Sequence, residues 1–227
     1  MPSDAFQSLL VGIQEVRDLL TANPTPTGGL PDRPRTVRAI NRASVVLLTS
    51  HFERYLRSLN EEAVDVINAA AIAGSSLPEA LRLRHSKVPV ESLADAQWDN
   101  RATMLSQFLE TDGWLWGAVP KAQLDHERLL RFMKSPSPER ISTMFVLWGV
   151  PDVFGVVTRR PHTRQRMRLR LRELVDKRNE IAHGDASTQA THNDVKGYLS
   201  VVRTFCHRCD GVLSRALAAH TGGARPW

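Results

Sequence analysis

Arg178-Asn179-Glu180-Ile181-Ala182-His183-Gly184 packs a permanent cation, an amide and a titratable imidazole into about a turn and a half of expected helix. Those side chains suffice for one kind of chemistry without a metal: cleavage of a phosphodiester beside a 2′-hydroxyl, which is to say RNA. A neutral His183 takes the hydroxyl proton, imidazole being the side chain suited to exchange protons near neutral pH. Arg178 stabilises the charge that develops on the phosphoryl oxygens. The bare spacing carries little weight, because among 25 Arg and eight His an Arg five positions before a His is expected by chance roughly once. Context separates this instance from the other. Ile181 and Ala182 give the stretch an apolar interior and Gly184 stops the helix just past the His. Arg215 and His220, at the same spacing, lack such polar company and read as the fraying end of the last helix.

On a regular helix Arg178 and His183 lie about 140° apart and share no face. Two copies meeting across a twofold axis, each giving an Arg and a His to one cleft, would bring them together more readily than one chain can. A plain structural reading stays open, with His183 favourably placed at a helix C-terminus and Arg178 a surface residue.

The elements that must position these residues are helical, and the expected fold is all-α. Ser3-Asp4 caps a first helix that Asn23-Pro24 ends, and Thr25 to Pro34, with three Pro and two Gly, reads as a mobile connector. A long helix follows over about Thr36 to Ala73, with an apolar face through Leu48, Phe52, Leu56 and Leu59. Ser76-Leu77-Pro78-Glu79 opens a short helix, another spans about Glu91 to Glu110, and Trp114-Leu115-Trp116 fits no element. Leu124 to Met133 is helical, Ser137-Pro138-Glu139 starts the next helix, and Val153 to Thr158 reads as a brief strand or apolar loop. The motif helix runs from Thr163 to His183 and a last helix from Asn193-Asp194 to about Ala219. The region Ala39 to Leu59, the motif helix and the last helix should pack as a bundle. Residues 1–220 then form a single domain, 221–227 a flexible tail.

A formal charge of +6 and a pI near 9.9 favour an anionic partner. Only five of the 30 basic residues are Lys, and Arg is the bidentate phosphate fork, although Arg abundance also follows GC-rich coding. The charge concentrates upstream of the motif at Arg159, Arg160, Arg164, Arg166, Arg168, Arg170 and Arg172, an RNA-binding stripe or else a solvated basic face. No apolar run approaches a membrane span and the first residues lack a secretory pattern, which points to the cytoplasm. Cys206-His207-Arg208-Cys209 has no second Cys pair to complete a structural zinc site, so no metal and no cofactor is expected. Trp98, Trp114, Trp116 and Trp148 are candidates to stack bases or to pack.

The Arg-polar-x-x-x-His signature followed by Gly, late in an all-helical chain, resembles the HEPN superfamily. The segment Arg42 to Leu56 is similar to the early helix of its RiboL-PSP branch, with Phe52-Glu53 as the mid-helix aromatic-Glu pair. The similarity covers mainly residues 36–68 and 140–215, leaving 77–134 as a variable helical insertion. It implies an obligate homodimer whose paired motifs form a metal-independent endoribonuclease site leaving 2′,3′-cyclic phosphate and 5′-hydroxyl ends. In that site Asn179 orients the phosphate or the His, and Glu53 holds Arg178 or His183. It also implies a toxin or defence effector restrained by an antitoxin or other regulatory partner. A non-catalytic RNA-binding or protein-interaction module, and a basic helical scaffold, remain the alternatives.

Overall fold

The computed structural model describes residues 1–22, 34–121, 123–185 and 187–227. The expected connector at 25–34 lies, apart from Pro34, outside them. The described residues form nine α-helices and no strand: α1 (Asp4–Thr21), α2 (Pro34–Ala70), α3 (Glu79–Asp95), α4 (Trp98–Thr111), α5 (His126–Leu130), α6 (Pro138–Leu147), α7 (Val153–Val157), α8 (Pro161–Ala182) and α9 (His192–Thr221). Two short 3₁₀ turns, Gly74–Ser76 and Gly113–Trp116, complete the set, the second taking the Trp-Leu-Trp segment that fitted no element.

Side-chain oxygens start α1 and α6 where the sequence indicates, whereas α9 begins at His192, ahead of the expected Asn193-Asp194, and α3 follows Pro78 with no side-chain cap. Ser3 accepts from the Phe6 N–H, Ser137 from Arg140, and Thr191 and Asp194 close a reciprocal capping box on α9. In α2, Val45, Leu48, Phe52, Leu56 and Leu59 recur at three- and four-residue steps and are buried against α1, α8 and α9. Each such side chain contributes roughly 1.5–3 kcal/mol on leaving water. Phe205 of α9 joins the bundle, edge-on to Phe52 of α2 and stacked on Phe154 of α7, a ring that also lies under Arg168 of α8. Tyr55 fixes the axial register of α2 against α9 by donating to the Cys206 carbonyl at 2.8 Å.

Several expectations are corrected. The helix expected over Glu91–Glu110 is two helices, because Ala96 and Gln97 are extended between α3 and α4. α3 is seventeen residues long, not short, and runs through Pro89, which interrupts one backbone hydrogen bond without ending it. Val153–Val157 is a helical turn, not a strand, since Asp152 caps it by accepting from the Gly155 N–H at 3.0 Å. His220 does not fray: its Nε2 donates to the Trp148 carbonyl at 3.0 Å. Residues 221–227 fold back, with the Trp227 indole N–H donating to the Asp210 carbonyl at 3.1 Å and Ser214 donating to the Trp227 carbonyl at 2.6 Å. The other end of the chain meets the same residue. The Ser3 N–H donates to Asp210 Oδ2 at 3.2 Å and the Ser3 hydroxyl to Oδ1.

In the segment 77–134, a buried polar group joins α3, the end of α4 and α5. His85 Nδ1 stands 3.0 Å from Asp112 Oδ1, and its Nε2 accepts from the Asp125 N–H at 3.0 Å. Arg128 donates to both Asp112 oxygens at 2.8 and 3.1 Å. With Asp112 1 % and His85 3 % exposed, burial lowers the His85 pKa and keeps the ring neutral.

Candidate functional site

The motif ends α8 in a Schellman turn. Gly184 has φ of +84°, the Gly184 N–H donates to Ile181, and the Asp185 N–H reaches back to Glu180. His183 is the cap of this turn and is exposed, its backbone N–H bonded to Asn179 and its imidazole facing solvent. The following loop is tied down on both sides. Arg42 of α2 donates to the Asp185 carbonyl at 2.9 Å, and Lys177 of α8 to the Gln189 carbonyl at 2.8 Å. Thr188 donates to Glu180 at 2.9 Å. Hydrogen bonds from the Ser187 hydroxyl and N–H lower the Asp185 pKa, so the residue two beyond His183 is a fixed negative charge.

Arg178 lies on the other side of the helix, half-buried against α2. Its Nη2 is 3.8 Å from Glu53 Oε2, and its Nη1 donates to Asn179 Oδ1 at 3.1 Å. The other oxygen of Glu53 is 3.5 Å from Arg57 Nη2. One carboxylate thus stands between two guanidiniums, and of the two roles open to Glu53 the geometry provides the contact with Arg178, not with His183. Arg178, Asn179 and Glu53 are together. His183 is about 7.5 Å further along the helix axis and about 140° around it. Neither Arg42 nor Arg57 was singled out from sequence. The i,i+4 spacing from Glu53 to Arg57 was the available signal for the second, whereas Arg42 had none.

The basic stripe divides. Arg164 pairs with Asp152 at 3.4 Å, Arg170 with Glu173 at 2.9 Å, Arg172 with Glu139, and Arg168 covers Phe154. Four of the seven cations thus have partners within the chain. Arg159, Arg160 and Arg166 are exposed with no ion pair among the described residues. Arg160 precedes Arg178 by about 27 Å of helix rise, so this end of the stripe is remote from the motif.

A model of the RiboL-PSP-HEPN family matches residues 9–215, nearly the whole chain, from within α1 to within α9. The chain belongs to the RiboL-PSP-HEPN family. No curated protein and no solved structure matches it. Membership carries a family-level implication of ribonuclease activity, and the all-helical fold agrees with it.

In this HEPN chain the remaining motif candidates take structural places. Cys206 and Cys209 are buried in the core, where burial raises both thiols and makes them poor nucleophiles. Trp148 is fully buried, its indole N–H donating to Asn60 Oδ1 at 3.0 Å, and Trp114 is nearly so. Trp116 and Trp98 are exposed, with Arg82 over the first at 4.8 Å and Arg101 over the second at 5.4 Å. No described helix is long and apolar enough to cross a membrane.

Proposed function

We propose that the protein is an endoribonuclease that cuts RNA by attack of a 2′-hydroxyl on the adjacent phosphate. His183, as the neutral imidazole, removes the O2′ proton. The new O2′–phosphorus bond displaces the 5′-oxygen, which takes a proton as it leaves. The products are a 2′,3′-cyclic phosphate and a 5′-hydroxyl. Arg178 meets the charge on the phosphoryl oxygens, with Asn179 and Glu53 setting the direction of its guanidinium. The reading calls for no metal, since a guanidinium and an imidazole supply the charge and the proton transfer.

The observation that carries it is the pairing of a half-buried Arg178, held by Glu53 and Asn179, with an exposed His183 on a helix end that Arg42 and Lys177 fix in place. The angular separation of Arg178 and His183 supports a homodimer in which one chain's Arg and its partner's His share a cleft. An unrestrained ribonuclease would harm its own cell, which supports a toxin or defence role under a regulatory partner. Residues 77–134 are read as an insertion into this single domain.

A second reading, an RNA-binding module without cleavage, is favoured by one feature: within one chain the Arg178 guanidinium is committed to Glu53. The test is to incubate the protein with labelled total RNA in EDTA beside Arg178→Ala and His183→Ala. Cyclic-phosphate ends that vanish in both variants support the nuclease. Binding without cleavage, with magnesium restored, supports the module.

A further inference from the structure

We infer that the cleft between α2 and α5 is a second phosphate subsite, which takes the backbone of the RNA strand next to the phosphate under attack. The inference rests on the ribonuclease reading and adds to it a place for the flanking nucleotide. The cleft has a volume of about 310 Å³, enough for a nucleotide unit and more than a lone ion needs. Its cations are Arg57 from α2 and Arg131 and Lys134 from the turn after α5. Leu130 and Met133, both nearly fully buried, supply an apolar floor.

Two features mark these cations as available. Arg131 and Lys134 are exposed and have no ion pair or hydrogen bond from their side chains among the described residues. Like charges that line one cleft repel one another, and an anion between them offsets that cost. Two carboxylates, Glu61 and Glu127, also line the cleft, Glu61 standing 3.9 Å from His126, and the three cations outnumber them.

Arg57 connects the cleft to the motif. Its Nη2 donates to the Met133 carbonyl at 2.8 Å, which fixes the guanidinium at the cleft wall, and lies 3.5 Å from the same Glu53 carboxylate that holds Arg178. A strand with one phosphate at Arg178 therefore finds its next cation at Arg57 and a further pair at Arg131 and Lys134. The segment 77–134, which supplies two of these three cations, becomes part of substrate recognition.

The experiment compares full-length Arg131→Ala/Lys134→Ala with a charge-matched control, Lys87→Ala/Arg225→Ala, whose residues lie outside the cleft. All four side chains are surface groups, so the fold is expected to persist, and circular dichroism checks it. Binding of a non-cleavable single-stranded RNA is followed across a salt series, and cleavage kinetics on its cleavable counterpart. The cleft variant should lower the slope of log affinity against log salt by about 1.4, two contacts at about 0.7 each. Its KM should rise about tenfold while kcat stays within about twofold, the signature of lost binding outside the reacting groups. A cleft variant that matches the control in slope and KM, while wild type binds and cleaves, overturns the subsite alone. A wild type that neither binds nor cleaves RNA overturns the ribonuclease reading and this inference with it.

Discussion

The Arg178 guanidinium and the Glu53 carboxylate face each other at 3.8 Å across the seam between α8 and α2, while Arg57 draws on the other oxygen of the same carboxylate at 3.5 Å. Replacing Glu53 by Gln keeps the shape and deletes the charge that both cations share. Both partners are partly exposed, so stability should change by less than about 1 kcal/mol. Cleavage should fall about tenfold because the guanidinium loses its direction. Single-turnover cleavage beside a urea melt checks both, and an unchanged rate would remove Glu53 from the site.

His183→Ala should lower cleavage by about 10²–10⁴-fold, the range for a positioned general base. Its imidazole is exposed and makes no hydrogen bond, ion pair or ring contact among the described residues, so the melting midpoint should stay put. Retained RNA affinity with lost cleavage is the expected pattern. A large loss of stability would instead assign the ring a structural role.

Two glycines should respond to alanine with opposite signs. Gly184 has open space around its missing side chain but a left-handed backbone, so Gly184→Ala should destabilise by about 1–2 kcal/mol and disturb His183 beside it. Gly197 sits inside α9 with no atom within 4 Å of an added Cβ, and Gly197→Ala should stabilise by about 0.5–1 kcal/mol. Chemical denaturation of both variants measures the pair.

His85 should make the protein acid-sensitive in a window just below pH 6.5. Burial lowers its pKa in the folded state, so the unfolded chain takes up the proton first. Its stabilising contribution is complete above the unfolded value of about 6.5 and is lost as pH falls toward the folded value. Asp210 and Glu62 act with the opposite sign, because burial raises their pKa and their protonation favours the folded state. The difference in urea midpoint between wild type and His85→Gln, followed from pH 7.5 to about 5.5, isolates the histidine. A difference that does not change with pH would show that the ring is not the sensor.

Much of this fold is legible in the sequence because its signals are local. Ser3 and Ser137 announce their helices within three residues of where they act, and the apolar steps of α2 need no knowledge of what covers them. The contact of Glu53 with Arg178 is one of the two that the family resemblance implies, whereas Asn179, expected on the phosphate or on His183, accepts from Arg178 instead. What stayed hidden depends on distant partners. Arg172 reads as a free cation until Glu139, 33 positions away, is found beside it. His220 reads as a loose end until the Trp148 carbonyl, 72 positions away, accepts its proton. The break at Ala96–Gln97 has neither Gly nor Pro to mark it, and Pro89, which should have marked one, lies within a continuous helix.

The seat of Ser3 on Asp210 joins residues 207 positions apart. At ribosomal rates of about 5–20 residues per second, roughly 10–40 s separate the synthesis of one from that of the other. For that interval α1 cannot complete its docking, and Phe6 lacks the His207 ring of α9 that it meets edge-on at 5.5 Å. The nascent chain must therefore be sheltered by another protein or held by partial packing on α2, and a pause in translation before α9 would expose it to aggregation.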